Sequence, residues 1–91
     1  MIRCHIIVTG IVQGVFFRRY IKENAEDLKL NGWAKNKDND KVEILVEGDE
    51  ADIEELIDIC SRGPQGAEVE DVEVKKEKYI GNLKGFTIAH S

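Results

Sequence analysis

The chain switches between two hydrophobic periods, and the switches mark out its elements. Over residues 2–9 the period is two: Ile2, Cys4, Ile6 and Val8 share one face, Arg3, His5, Ile7 and Thr9 the other. Ile7 makes the second face partly apolar, as suits a central strand, and Gly10 is expected to end the run. From about Phe17 to Leu30 the period lengthens to that of a helix. Phe17, Ile21, Ala25 and Leu28 form a stripe, with Lys22, Glu23, Glu26 and Lys29 between them, and Asn31-Gly32 reads as the stop. Strand character returns at Trp33-Ala34-Lys35-Asn36, breaks at the polar turn 38–41, and resumes where Val42, Ile44 and Val46 alternate with Glu43, Leu45 and Glu47. Two strands around a short polar turn predict a β-hairpin.

A second helix is predicted from Gly48 or Asp49, with acidic residues in the first turn, where the helix dipole favours them. Its stripe is Ile53, Leu56, Ile57 and Cys60, and Gly63-Pro64 stops it. Beyond it Val72 and Val74 are in phase while Val69 is not, so the next strand starts late or carries a bulge. Phe86 and Ile88 mark a last short strand. The order is βαββαβ with an extra C-terminal strand, the ferredoxin-like split βαβ pattern. One apolar stripe per helix predicts an α/β (α+β) two-layer sandwich, with both helices on one face of a mostly antiparallel sheet. A length of 91 residues predicts a single domain over 1–91. That fold hosts many functions, so function has to be read from a site.

Composition narrows the field. A hydrophobic content of 42% and a charged content of 34% describe an ordinary soluble protein. The net charge of −5 speaks against nucleic acid and against an acidic membrane, which need a basic face, but leaves room for a small anion held by local groups. The N-terminal apolar run is short, broken by His5, and lacks a small-residue cleavage site; no run reaches membrane-spanning length. A cytoplasmic location and, for a compact acidic domain, a monomer are expected. Cys4 and Cys60 form no C-x-x-C pair; two reduced, buried thiols are expected, with a disulfide between them as the alternative.

Most familiar chemistry fails to match. Gly14 is followed by Val15 rather than by the Lys-Ser/Thr of a phosphate loop, and no G-x-G-x-x-G is present. Neither cysteine precedes an arginine-closed loop, and no His, Cys, Asp or Glu grouping has metal-ligand spacing. His5 and His90 read as structural strand histidines. The carboxylates of 47–54 and 68–73 read as a helix start and a solvated strand face. Residues 10–18 remain, where the first strand turns into the first helix. A helix N-terminus offers free N–H groups and the positive dipole end. Gly10 and Gly14 allow a backbone nest, and Arg18 in the first turn can close over an anion bidentately. A phosphate cradle and a plain apolar connection with glycines at its bends both fit these residues.

The run Val8-Thr9-Gly10-Ile11-Val12-Gln13-Gly14-Val15-Phe16-Phe17-Arg18 resembles the signature of the acylphosphatase family. Gly32-Trp33-Ala34-Lys35-Asn36 resembles that family's second signature, with Val42 and Gly48 at its further spacings, and Gly63-Pro64-Gln65-Gly66-Ala67 resembles the stretch after the second helix. The resemblance spans essentially the whole chain. It departs at Asp40, where the family usually has a turn glycine; a positive φ there, and a slightly altered hairpin, are expected.

The resemblance implies hydrolysis of acyl phosphates to carboxylate and inorganic phosphate. It implies that Arg18 binds the phosphoryl group and Asn36 orients the attacking water. The loop Gln13, Gly14, Val15, Phe16, Phe17 and Arg18 would hold the phosphoryl oxygens through its N–H groups, and phosphate or sulfate would fit there. It implies no metal and no cofactor. Phe17 belongs to the core stripe, Phe16 is expected at the site entrance, Trp33 on the opposite strand face, and Arg19 in solvent. An RNA reader of the same fold would carry sheet aromatics, which the strands "CHIIVT" and "VEILVE" lack. The related domains of carbamoyl-transferring maturation proteins continue into further domains, whereas a single-domain protein ending at Ser91 is expected here. A phosphate binder without catalysis is the remaining alternative.

Overall fold

Period-two and helical segments condense onto one another because each has a single apolar face to hide. The computed structural model, which describes residues 1–90, runs β1 (Ile2–Ile11), α1 (Phe17–Asp27), β2 (Asn31–Lys37), β3 (Lys41–Gly48), α2 (Glu50–Arg62), β4 (Glu68–Glu77) and β5 (Phe86–Ile88). The strands form one sheet in the order β4-β1-β3-β2-β5. All neighbours are antiparallel except β2 and β5, which run parallel. Cys4, Ile6 and Val8 of β1, Ala34 of β2, and Val42, Ile44 and Val46 of β3 face the helices. They meet Phe17, Ile21 and Ala25 of α1 and Ile53, Leu56 and Cys60 of α2 in one core. In α2 Ile59 is buried as well, while Ile57 is only partly buried and packs against the edge of the core. The other sheet face is mixed, with Ile7, Leu45 and Trp33 partly buried among polar residues. There Glu43 on β3 meets His5 of β1 and Lys35 of β2.

Several boundaries differ from expectation, each for a local reason. Gly10 does not end β1. The strand continues to Ile11 through a register shift at Thr9/Gly10, where Glu70 of β4 is the extra residue between the partners of Thr9 and Gly10. This bulge is what puts Val69 out of phase. A side chain at Gly10 would strike the Glu68 carbonyl, so only glycine lets β4 approach. Helix α1 stops at Asp27, before Asn31-Gly32, which belong to β2. Its end is a Schellman turn: Lys29 is left-handed (φ 57°), its N–H donates to the Glu26 carbonyl (3.0 Å), and the Leu30 N–H donates to the Ala25 carbonyl (2.9 Å). In the β2–β3 turn the left-handed residue is Asp38 (φ 55°), not Asp40.

Glu47 lies in β3 rather than at the start of α2 and is 1% exposed. Its carboxylate accepts the N–H groups of Ile80 (2.9 Å) and Gly81 (3.2 Å), with Arg3 Nε 3.6 Å away. This anchor ties down the crossing segment 78–85, which carries the chain from the β4 edge of the sheet to the β5 edge. Both cysteines are free and buried. Burial pushes the Cys60 thiol up to about 12 and raises that of Cys4 as well, so neither is poised as a thiolate.

Candidate active site

The connection from β1 to α1 is held in place from two sides. Val12, 1% exposed, plugs it into the core, with Val15 packed at the core's edge. The Gln13 side-chain amide donates to the carbonyls of Asp38 (2.9 Å) and Lys41 (2.9 Å), and the Gly10 N–H donates to the Asp40 carbonyl (2.9 Å). The loop is thereby fastened to the β2–β3 hairpin. Gly14 (φ 74°) and Phe16 (φ 58°) are both left-handed. For a bulky residue such as Phe16 that conformation costs about 1–2 kcal/mol. Phe16 nonetheless stands 79% exposed as the residue capping α1, and no side chain caps the helix. An α-helix leaves its first N–H groups without internal partners. The first turn of α1 also contains no acidic residue.

An open pocket of about 410 Å³ lies over this helix start, lined by Val12, Gly14, Phe16, Phe17, Arg18, Arg19, Asn36, Ile88 and His90. Arg18 comes from the first turn of α1 and Asn36 from β2, on the face that Ala34 shares. The Asn36 Oδ1 is buried with no hydrogen-bond partner, so no protein group claims the carbonyl of this amide. Arg18 Nη1 lies 3.5 Å from His90 Nδ1. Among the described residues no carboxylate lines the pocket. Arg19 is paired with Glu23 at 3.0 Å, so it is Arg18, together with the positive helix terminus, that gives the pocket a net positive field. Among the described residues no cluster of His, Cys, Asp or Glu has a metal-binding arrangement.

Of the six residues in the expected loop, Gly14, Phe16, Phe17 and Arg18 line this pocket, and Asn36 joins them. Gln13 and Val15 do not: the first is spent on the hairpin carbonyls and the second on the core edge. Trp33 is on the opposite strand face, under the ammonium of Lys35 at 5.1 Å. Sequence reasoning missed Val12, Ile88 and His90 as pocket residues; Arg19, expected in solvent, is exposed at the pocket's rim and paired with Glu23. His90 also lies beyond β5 rather than within a strand. Ile88 and His90 reach the pocket only because β5 adds to the sheet beside β2, a pairing across more than fifty residues with no local signal.

Fold and pocket define a small ferredoxin-like α/β protein with a cationic pocket at the N-terminus of its first helix, lined by no acid among the described residues. A family model described as Acylphosphatase matches residues 4–88. An acylphosphatase of Moorella thermoacetica is 47% identical over 81 residues, covering 89% of this chain and 87% of that protein. The crystal structure of acylphosphatase from Bacillus subtilis superposes with a TM-score of 0.94 at 36% identity, over 98% of this chain and 99% of that one. The chain belongs to the acylphosphatase family. It is also similar to part of T. kodakarensis HypF, with 36% identity and a TM-score of 0.84, but 98% of this chain there matches only 12% of the larger one.

Proposed function

We propose that this protein hydrolyses acyl phosphates by direct attack of water on a phosphoryl group bound by Arg18. The observation that carries the proposal is the meeting of Arg18 and Asn36, from different elements, in one pocket that no carboxylate among the described residues lines. The Arg18 guanidinium takes two phosphoryl oxygens, and the N–H groups at the start of α1 take up the remaining charge. Asn36 supplies an amide carbonyl that accepts a hydrogen from water and directs its lone pair at phosphorus. Because nothing inside the protein holds Oδ1, turning the amide toward the pocket breaks no hydrogen bond.

The reaction balances without further groups. Water adds to phosphorus, the carboxyl–phosphate bond breaks, and its electrons leave on a carboxylate that is stable unprotonated. A phosphoryl oxygen receives the water's proton, so neither a general base nor a general acid is demanded of the protein. Phosphoryl transfer depends mainly on positioning and charge stabilisation, which the cradle and the amide supply. The charge on the phosphoryl group is met by Arg18 and the helix terminus, so turnover is expected to need no metal.

The test is hydrolysis of benzoyl phosphate with and without a chelator, beside phenyl phosphate as a monoester control. Chelator-insensitive turnover of the acyl phosphate, with little turnover of the monoester, is expected. Folded protein that binds phosphate but leaves benzoyl phosphate intact would overturn the proposal in favour of a binding protein.

A further inference from the structure

His90 stands two residues beyond β5, and the sheet decides where its side chain goes. β5 pairs with β2 in the register Gly32↔Phe86, Trp33↔Thr87, Ala34↔Ile88. The pairing runs on through the Ala89 N–H, which donates to the Ala34 carbonyl at 2.8 Å. Side chains alternate across a strand, so residue 90 follows Ile88 onto the helix-covered side. Ile88 and His90 accordingly line the same pocket as Asn36. The imidazole Nδ1 there lies 3.5 Å from Arg18 Nη1.

A guanidinium only donates, so the partner atom must accept. We propose that His90 is a positioning residue for phosphate binding: its neutral imidazole, protonated on Nε2, accepts from Arg18 and holds the guanidinium fork toward the phosphoryl site. Arg18 has no carboxylate partner among the described residues. A carboxylate would orient the guanidinium as well, but its charge would repel the anion that the pocket is there to bind. A neutral imidazole orients without that penalty. Among the described residues the charged groups lining the pocket with His90 are Arg18 and Arg19, both on α1, and Arg19 is itself paired with Glu23 at 3.0 Å. The consequence for catalysis rests on the acylphosphatase reading; the consequence for phosphate affinity does not.

The experiment compares the full chain with His90→Ala, His90→Asn and His90→Asp at mildly alkaline pH, where imidazole is neutral. Calorimetry gives the dissociation constant of inorganic phosphate, benzoyl phosphate hydrolysis gives KM and kcat, and thermal unfolding checks the fold. Loss of a hydrogen bond to a charged group predicts that alanine weakens phosphate binding and raises KM by about fivefold, with kcat changed less. Asparagine, whose carbonyl can stand in for Nδ1, restores both to within about twofold of the parent, a difference of about 0.4 kcal/mol. Aspartate orients Arg18 but binds phosphate more weakly than alanine does. An alanine variant with unchanged phosphate affinity, or an asparagine variant no better than alanine, overturns the proposal. If no chain turns over benzoyl phosphate yet the phosphate affinities follow this order, the positioning role stands and the catalytic proposal falls.

Discussion

Arg18→Ala should separate activity from stability in opposite directions. Arg18 sits in the first turn of α1 beside Arg19, with no acidic residue in that turn. A cation at the positive end of a helix dipole is unfavourable by about 0.3–1 kcal/mol. No carboxylate among the described residues offsets this; the recorded partner is His90. Alanine also gains a few tenths of a kcal/mol in helix propensity over arginine, roughly. The variant should therefore be more stable by about 0.5 kcal/mol, which for a domain of this size is a rise in Tm of about 2–4 °C. The same change removes the main charge facing a bound phosphoryl group. A unit charge pair at about 4 Å is worth about 4 kcal/mol at an effective dielectric of about 20, and the partial exposure of Arg18 makes that a ceiling. A loss of about 3–4 kcal/mol corresponds to a fall of about 10²–10³ in kcat/KM. Benzoyl phosphate kinetics and urea unfolding followed by Trp33 fluorescence read the two effects. Destabilisation by more than about 1 kcal/mol, in the range of an ordinary structural loss, would refute the reasoning, because Arg18 would then be part of the scaffold. A fall in kcat/KM of less than about tenfold would refute it from the other side.

Asn36→Ala should lose about 10² in kcat while inorganic phosphate still binds with nearly parental affinity, since it removes positioning and not charge; near-parental turnover would end the water-orienting assignment. Gly10→Ala should cost about 3 kcal/mol, measured by urea unfolding, because a side chain there collides with the Glu68 carbonyl and sits at a positive φ. Near-parental stability would show that β4 can move away. Burial tends to raise the Glu43 carboxyl, but the hydrogen bond from His5 and the charges of Lys35 and Lys37 outweigh it and hold the group below its ordinary 4.5. A lowered folded pKa gives stability that is present above the unfolded value and lost as pH falls through the folded one. The parent should therefore be more stable than Glu43→Gln near neutral pH, and the gap should close as pH drops below about 4.5. A gap constant with pH, measured by urea unfolding, would contradict this.

Much of the molecule is legible from spacing alone. The stripes Phe17–Ile21–Ala25 and Ile53–Leu56–Cys60, and the alternation in β1 and β3, report which faces are buried, because burial is what selects those residues. Boundaries are less legible. Lys29 and Asp38 take the left-handed conformation without being glycine, so the polar run 38–41 announces a turn but not which residue in it reverses the chain, and Lys29 announces nothing. The Glu70 bulge surfaces only as the phase error at Val69.

The site divides in the same way. Gly14, Phe16, Phe17 and Arg18 lie close together in the chain, so the strand-to-helix turn and its cationic, acid-free first helical turn are local properties of residues 10–18. Asn36 could be paired with them only through its resemblance to a family signature. What residues 10–18 could not determine was which atoms stand opposite the helix terminus. Sheet order does that: β5 adds in parallel beside β2, with Ile88 opposite Ala34, and brings Ile88 and His90 into the pocket with Asn36, while Gln13 is drawn away to fasten the hairpin. Periodicity encodes which face of an element is apolar. The placing of one element against another depends on long-range pairing and packing, whose free energy is spread over many residues and written at none of them.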